Sequence, residues 1–321
     1  MRPPFYSEAE VEAVLDYAGG IEAVQAAMTA LSLSERDQPL RQILGVGEGL
    51  FGLMPGSLAS QNVFGAKLVS VFGSAGTGRA RHQGVVVAFN AETGAVDCMA
   101  EAEAVTQIRT ACASAAATRA LARADARVLS VFGLGAQAES HVRALSLVRP
   151  FERIQLWGRD AERAESRARA LALSLGLPVT AVASAEEAAR SADVICTVTG
   201  SATPVVLSEW VADGTHLNLV GSSYLGPVEV DAALVVRSRY VADYLPSVLA
   251  QASELAVARE AGMVDDAHVV GEIGQVFAGR LPGRHHAEEV TLYKSLGHVV
   301  QDLAAVRYVH SRAGRGSGEV A

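Results

Sequence analysis

The chain has 321 residues, half of them hydrophobic and 19% charged, with 35 acidic against 27 basic side chains and a net charge of −8. This composition excludes disorder over nearly the whole length and supplies enough chain for about two domains of roughly 100–200 residues. An acidic chain without concentrated Lys and Arg argues against a nucleic-acid partner, and no run of about 20 strongly apolar residues marks a membrane span.

The N-terminal segment lacks the apolar core of an export signal, so the cytoplasm is the expected compartment. Ser7 and Glu10 stand at capping-box spacing, with Ser7 expected to accept an amide hydrogen bond, and predict a helix over about 8–18. A second helix is predicted over 21–32. β-rich runs follow at 65–72, 84–89 and 95–100, the last two joined by a turn at Asn90-Ala-Glu-Thr-Gly94. The first hundred residues therefore read as α+β with an antiparallel sheet, and the alanine run 111–117 favours close helix packing.

From about residue 126 the texture alternates. Strands are predicted at 127–132, 153–157, 179–182 and 193–198, separated by helices at 136–147, 161–175 and 185–189, with further strands at 216–220 and 240–243. Such alternation predicts a parallel sheet flanked by helices. The last strong pattern, 295–309, is amphipathic and helical, and the Gly/Ser-rich tail 313–321 is expected to fray. Cys98, Cys112 and Cys196 lie far apart without metal-ligand spacing, so buried free thiols are expected, and neither a disulfide nor a metal site.

One motif carries chemistry by itself. The strand at 128–132 runs into Gly133-Leu-Gly135-Ala136-Gln137-Ala138 and then a helix, a GxGxxA form of the dinucleotide turn. Gly133 permits the tight turn, Gly135 lets backbone approach a pyrophosphate, and Ala138 lets helix and strand pack closely. At the end of the next strand, Gly158 and Arg159 occupy the place where an acid would bond the ribose of NAD. A neutral position beside a guanidinium suits a 2′-phosphate, so NADP is preferred over NAD; Asp160 either weakens that preference or caps the following helix.

Cations in the first domain are the other chemical signal. Arg41 and Arg109 stand beside a turn and a strand end, and Lys67 sits inside an apolar strand. A buried lysine costs free energy unless paired or titrating, so Lys67 reads either as a ligand-carboxylate or proton-transfer group or as an edge lysine reaching solvent. Arg109 reads as a ligand contact or a helix salt bridge. His82 is either a pocket proton donor or a surface-loop histidine.

Taken together, Lys67-Leu-Val-Ser-Val71, Thr93-Gly94, Thr106-Gln-Ile-Arg-Thr-Ala111, the dinucleotide turn, Ala192-Asp-Val-Ile195, Val220-Gly221 through Glu229, Gly271-Glu-Ile-Gly274 and Lys294-Ser-Leu-Gly297 with Asp302 resemble the ornithine cyclodeaminase/mu-crystallin family over nearly the whole chain. The resemblance implies an α/β protein: a Rossmann-type dinucleotide-binding domain over 116–297, and an α+β substrate and dimerisation domain over 1–115 completed by a C-terminal helix in 298–321. It implies a homodimer and a small carboxylate substrate. Arg41, Lys67 and Arg109 correspond to family residues that hold the carboxylate and assist proton transfer, Lys67 and Arg109 being the catalytic candidates; His82 and Ser223 complete the substrate set. Thr197, Ser222 and Ser295 join Gly133, Gly135, Ala136, Gln137, Ala138 and Arg159 as expected cofactor-binding residues.

The sequence departs from the family where ornithine cyclodeaminases carry an aspartate after a Gly-Gly pair. Here Gly221-Ser222-Ser223 puts a hydroxyl in that place, which cannot give a cationic diamine a charge-assisted bond. Glu229, soon after, matches a family position with a structural role. The leading expectation is an NAD(P)H-dependent reductase of a small cyclic imino acid, such as Δ1-pyrroline-2-carboxylate to proline. Ornithine cyclodeamination, alanine dehydrogenase-like chemistry and a crystallin-like NADPH and ligand carrier are the alternatives.

Overall fold

The computed structural model describes residues 2–34, 37–72 and 82–313. After a two-residue strand, β1 (Phe5–Tyr6), come helices α1 (Glu8–Val14) and α2 (Tyr17–Ser32). The helix expected over 8–18 thus stops early. Asp16 accepts a hydrogen bond from Gly19 N–H and starts α2 four residues before its predicted beginning. Of the capping box, the return half dominates: the Glu10 carboxylate accepts from both the Ser7 N–H at 2.9 Å and the Ser7 hydroxyl at 2.7 Å.

Five strands follow: β2 (Gln42–Val46), β3 (Gly49–Leu58), β4 (Val63–Val71), β5 (His82–Asn90) and β6 (Val96–Glu101), then helix α3 (Ala102–Leu121). The order β1-β6-β5-β4-β3-β2 is antiparallel except that β1 joins β6 in parallel. β2 and β3 are absent from the sequence reading. β3 contains Gly49, Gly52, Pro55 and Gly56, poor strand formers that hold the conformation because β4 pairs along their whole length. The turn at Asn90 forms as expected, with its Oδ1 accepting from Glu92 and Thr93 N–H and Gly94 at φ 71°.

The remaining strands are β7 (Val128–Phe132), β8 (Arg153–Trp157), β9 (Val179–Ala181), β10 (Val194–Thr197), β11 (His216–Leu219), β12 (Arg239–Ala242), β13 (Val269–Glu272) and β14 (Thr291–Lys294). Between them run α4 (Ala136–Ser146), α5 (Ala161–Leu175), α6 (Ala185–Arg190), α7 (Ala232–Arg237), α8 (Leu245–Gln251), α9 (Ser253–Glu260) and α10 (Ile273–Phe277). All eight strands pair in parallel, in the order β13-β12-β14-β11-β10-β7-β8-β9. From β7 the chain runs outward through β8 and β9, then crosses back to β10 and β11, which makes the β7/β10 boundary the switch point where ligands of such sheets bind.

The last helix, α11 (Val299–Ala313), begins later than the 295–309 prediction: residues 295–298 stay outside it, with Gly297 at φ 81° and its N–H donated to Asp243 Oδ2 at 2.6 Å. Contacts divide the chain into two compact units, Met1–Thr110 with His298–Ala321, and Ala111–Gly297. In the first, α11 buries Val299, Val300, Leu303, Val306 and Val309 against α2 and strands β3 to β6, each such side chain contributing about 1.5–3 kcal/mol. Cys98, Cys112 and Cys196 are buried, and none of the three is in a disulfide. Among the described residues, no helix is long and apolar enough to cross a membrane. The expected tail lies, from residue 314 onward, outside the described residues.

Candidate active site

In the first unit, three elements meet around one carboxylate. Lys67 lies on β4, Thr106 and Arg109 share a face of α3 through their i, i+3 spacing, and Gln301 and Asp302 lie on α11. Asp302 Oδ1 accepts from Lys67 Nζ at 3.1 Å and from Arg109 Nε at 2.9 Å, with the side chains almost completely buried. Arg109 Nη1 donates to Gln301 Oε1 at 2.7 Å, and Lys67 Nζ reaches Thr106 Oγ1 at 3.4 Å. Asp302 Oδ2 is buried without a hydrogen-bond partner. The solvent-reaching alternative for Lys67 is therefore excluded: it is 3% exposed.

Electrostatics make this lysine unusual. Burial, then the Arg109 charge, pull its pKa from 10.5 down to about 8; Asp302 opposes them and Arg41 adds to the depression. Half-buried Arg41, just ahead of β2, thus belongs to the same electropositive cluster. So does His298, which sequence reasoning missed. Burial holds its pKa down at about 4, with Arg41 and Arg109 depressing it further against Asp302, so the ring is neutral at pH 7. Its Nδ1 accepts from Val300 N–H at 3.3 Å. A polar pair inside an apolar helix, Gln301-Asp302, was the available signal for this half of the cluster. His82 opens β5, and its side chain lies outside the described residues.

In the second unit, the predicted dinucleotide turn stands at the C-terminal end of β7. Gly133 takes φ 132°, and a Cβ there would meet Val198 Cγ2 and the Val198 carbonyl oxygen at 2.8 Å, so only glycine fits. Gly135 is the N-cap of α4, and a Cβ on it would enter open space. Ala136 and Gln137 form the first turn of α4, while Ala138 is fully buried. Open space over Gly135, in front of free helix N-terminal amides, suits a pyrophosphate. Buried Ser295 just after β14, whose Oγ has no hydrogen-bond partner, adds a polar group at the same C-terminal edge of the sheet. The residues present thus fit a dinucleotide.

At the end of β8, Gly158 is required for a packing reason: its Cβ would lie 2.5 Å from the Leu134 side chain. Asp160 caps α5, its Oδ1 accepting from Arg163 N–H at 3.0 Å. Arg159 stands between them. Thr197 and Ser222, by contrast, are fully buried and spend their hydroxyls on protein: Thr197 Oγ1 donates to Glu229 Oε2 at 2.9 Å, and the Ser222 hydroxyl bonds Glu254. Whatever they contribute to a cofactor passes through the backbone they anchor. Ser223 is half-buried in the loop after β11.

The model of the ornithine cyclodeaminase/mu-crystallin family matches residues 2–317. The chain belongs to that family. It is 32% identical to the mouse ketimine reductase mu-crystallin over 276 residues, covering 85% of this chain and 84% of the relative. Among solved structures, the Thermococcus litoralis Δ1-pyrroline-2-carboxylate reductase in complex with NADH and L-proline superposes with a TM-score of 0.92 at 28% identity, covering 98% of both chains. The Paracoccus denitrificans iminosuccinate reductase in complex with NAD+ gives 0.92 at 31% identity, again over 98% of both. The family's two named parts, a Rossmann-like parallel sheet and a second, mixed sheet, are both present.

Proposed function

We propose that this protein is an NAD(P)H-dependent reductase of a small cyclic imino acid, with Δ1-pyrroline-2-carboxylate, reduced to proline, as the leading substrate. The observation that carries the reading is the Lys67–Asp302–Arg109 cluster. It sets a proton donor with a pKa near 8 among cations suited to a carboxylate, in a chain whose other unit has a dinucleotide turn. Its relatives named for ketimine and pyrroline-carboxylate reduction act on the same class of C=N bond.

Each residue has a distinct task. Asp302 and Gln301 engage Arg109 Nε and Nη1, which orients the guanidinium and leaves Nη2 for the substrate carboxylate. Arg41 adds a second cation. Lys67 donates a proton to the imine nitrogen as C=N becomes C–N, and its pKa near 8 keeps the ammonium both populated and willing to give up that proton at neutral pH. Neutral His298 adds no competing positive charge. Gly133, Gly135, Ala136 and Gln137 receive the pyrophosphate, buried Ala138 lets α4 pack close enough to hold them there, and Ser295 stands toward the nicotinamide. When bound, the reduced nicotinamide supplies the hydride equivalent. Ser223 in place of a carboxylate disfavours a diamine such as ornithine.

Three finer features complete the proposal. NADP(H) is preferred, because Asp160 is committed to the α5 cap and leaves Arg159 beside a neutral Gly158. The protein is a homodimer through its first unit, where edge strand β2 leaves Ile43, Leu44 and Val46 about half exposed, an apolar edge that a second copy would cover. Three buried cysteines outside any disulfide suit the reducing cytoplasm.

Purified protein supplied with Δ1-pyrroline-2-carboxylate should consume NADPH or NADH and yield proline, and Arg109→Lys should raise KM for the imino acid about tenfold or more without changing dinucleotide affinity. Absence of turnover with either nucleotide, or ammonia release from ornithine with catalytic NAD+, would overturn the assignment.

A further inference from the structure

The chain contains 25 arginines and only two lysines, Lys67 and Lys294. Both are buried against a carboxylate, and the proposed reaction uses only the first. Lys294 ends β14 and is fully buried, as is its partner Glu254 on α9 at 2.9 Å. Its other donors go to the Ser222 carbonyl at 2.7 Å and the Ser222 hydroxyl at 2.5 Å. Three acceptors around one ammonium use all its donors, whereas a planar guanidinium would leave N–H groups unpaired here. The arrangement calls for a compact cation, which fits a lysine in a chain that elsewhere uses arginine.

A second buried carboxylate extends the cluster. Glu229 accepts from Thr199 N–H at 2.7 Å, Thr199 Oγ1 at 2.8 Å, Thr197 Oγ1 at 2.9 Å and Ser222 N–H at 3.0 Å. Its own N–H donates to Glu254 Oε1 at 3.1 Å. Ser222 is thereby held at both ends of its peptide, N–H by Glu229 and carbonyl by Lys294. Gly221 reports how closely the two loops approach, since a Cβ there would fall 1.9 Å from the Thr199 carbonyl oxygen and 2.6 Å from Glu229 Oε1. The cluster ties together the C-terminal ends of β10, β11 and β14.

Sheet order gives these ends a meaning. The phosphate turn follows β7, and the adenosine ribose of a dinucleotide belongs at the end of β8, to one side of it. The nicotinamide half must then extend to the opposite side of β7, over β10, β11 and β14. We propose that Glu229, Lys294 and Glu254 are positioning residues that lock the ends of β10, β11 and β14 into the surface receiving the nicotinamide half of the cofactor, and fix the backbone from which Ser223 is presented. This rests on the dinucleotide reading of the second unit and is independent of which imino acid is the substrate.

Binding separates the two ideas. Dissociation constants of NADH and NADPH are measured beside those of ADP-ribose and its 2′-phosphate, which lack the nicotinamide ring, together with the emission of bound NADH. Glu229→Gln keeps the shape but turns an amide donor toward donors. Lys294→Met with Glu254→Met removes the two paired charges together, and with them the partners of the Ser222 carbonyl and the Glu229 N–H. The expected result for both variants is a loss of about tenfold or more for the reduced dinucleotides, a change under about twofold for the ring-less ligands, and altered emission of bound NADH. A loss shared equally by both ligand types, or no loss in the Glu229→Gln protein, overturns the clamp while leaving the dinucleotide reading intact. Wild-type protein that binds none of the four removes both.

Discussion

Replacing Asp302 by Asn is the most exacting test of the cation cluster. The carboxylate is completely buried and its Oδ1 serves two cations, at 3.1 Å from Lys67 and 2.9 Å from Arg109. Removing one partner of a buried ion pair leaves the other uncompensated and costs about 3–5 kcal/mol, a large share of the roughly 5–15 kcal/mol that holds a domain folded. The titration effect has the opposite reach: Asp302 is the group that raises the pKa of Lys67 against burial and Arg109, so without it that pKa falls below about 8. Two measurements read these effects. Denaturant unfolding should show a lower midpoint with an unchanged m-value. NMR titration of lysine labelled at Cε should give just two signals in this two-lysine chain, and the Lys67 signal should titrate at lower pH in the variant. The basic limb of the pH–rate profile should move in the same direction. A Lys67 signal that titrates as in the wild type would refute the electrostatic coupling, whatever the stability change.

Lys67 itself predicts an uncommon pH dependence of stability. Its pKa is lower in the folded protein than the ordinary 10.5, so between about pH 8 and 10.5 the unfolded chain holds a proton that the native chain has lost. Stability from this group therefore rises with pH across that window, by about 3 kcal/mol, and Lys67→Met should remove the rise; an unaltered stability–pH curve would contradict the burial argument. Because a Cβ at position 135 enters open space, Gly135→Val should weaken dinucleotide binding about tenfold or more while shifting stability by less than about 1 kcal/mol; equal binding would remove the phosphate turn from the site. Arg159→Ala should weaken NADPH selectively, and equal losses for NADPH and NADH would reject its role at the 2′-phosphate.

Local chemistry made much of the second unit legible. The strand–turn–helix around Gly133 and Gly135, helix α5 with its Asp160 cap, and the strands near 128 and 153 depend on neighbours within a few residues, so periodicity and turn residues suffice to find them. The same holds for the Asn90 turn. β3 lay beyond such reading, since its glycines and proline become a strand only by pairing with β4. β14 escaped for a related reason: four residues inserted between β11 and β12 are specified by the sheet around them.

The candidate site divides in the same way. Residue types alone single out Lys67, Arg109 and the glycine turn, because a lysine in an apolar strand and a GxGxxA after a strand are each costly or constrained in isolation. Tertiary structure decided their state. It buried Lys67 beside Arg109, which together pull its pKa down to about 8, and brought Asp302, 235 residues away along the chain, against it as the partner that opposes the fall. It also turned Thr197 and Ser222 inward to Glu229 and Glu254. Burial and long-range charge pairing depend on how the chain returns to itself, a property that no short stretch of sequence contains.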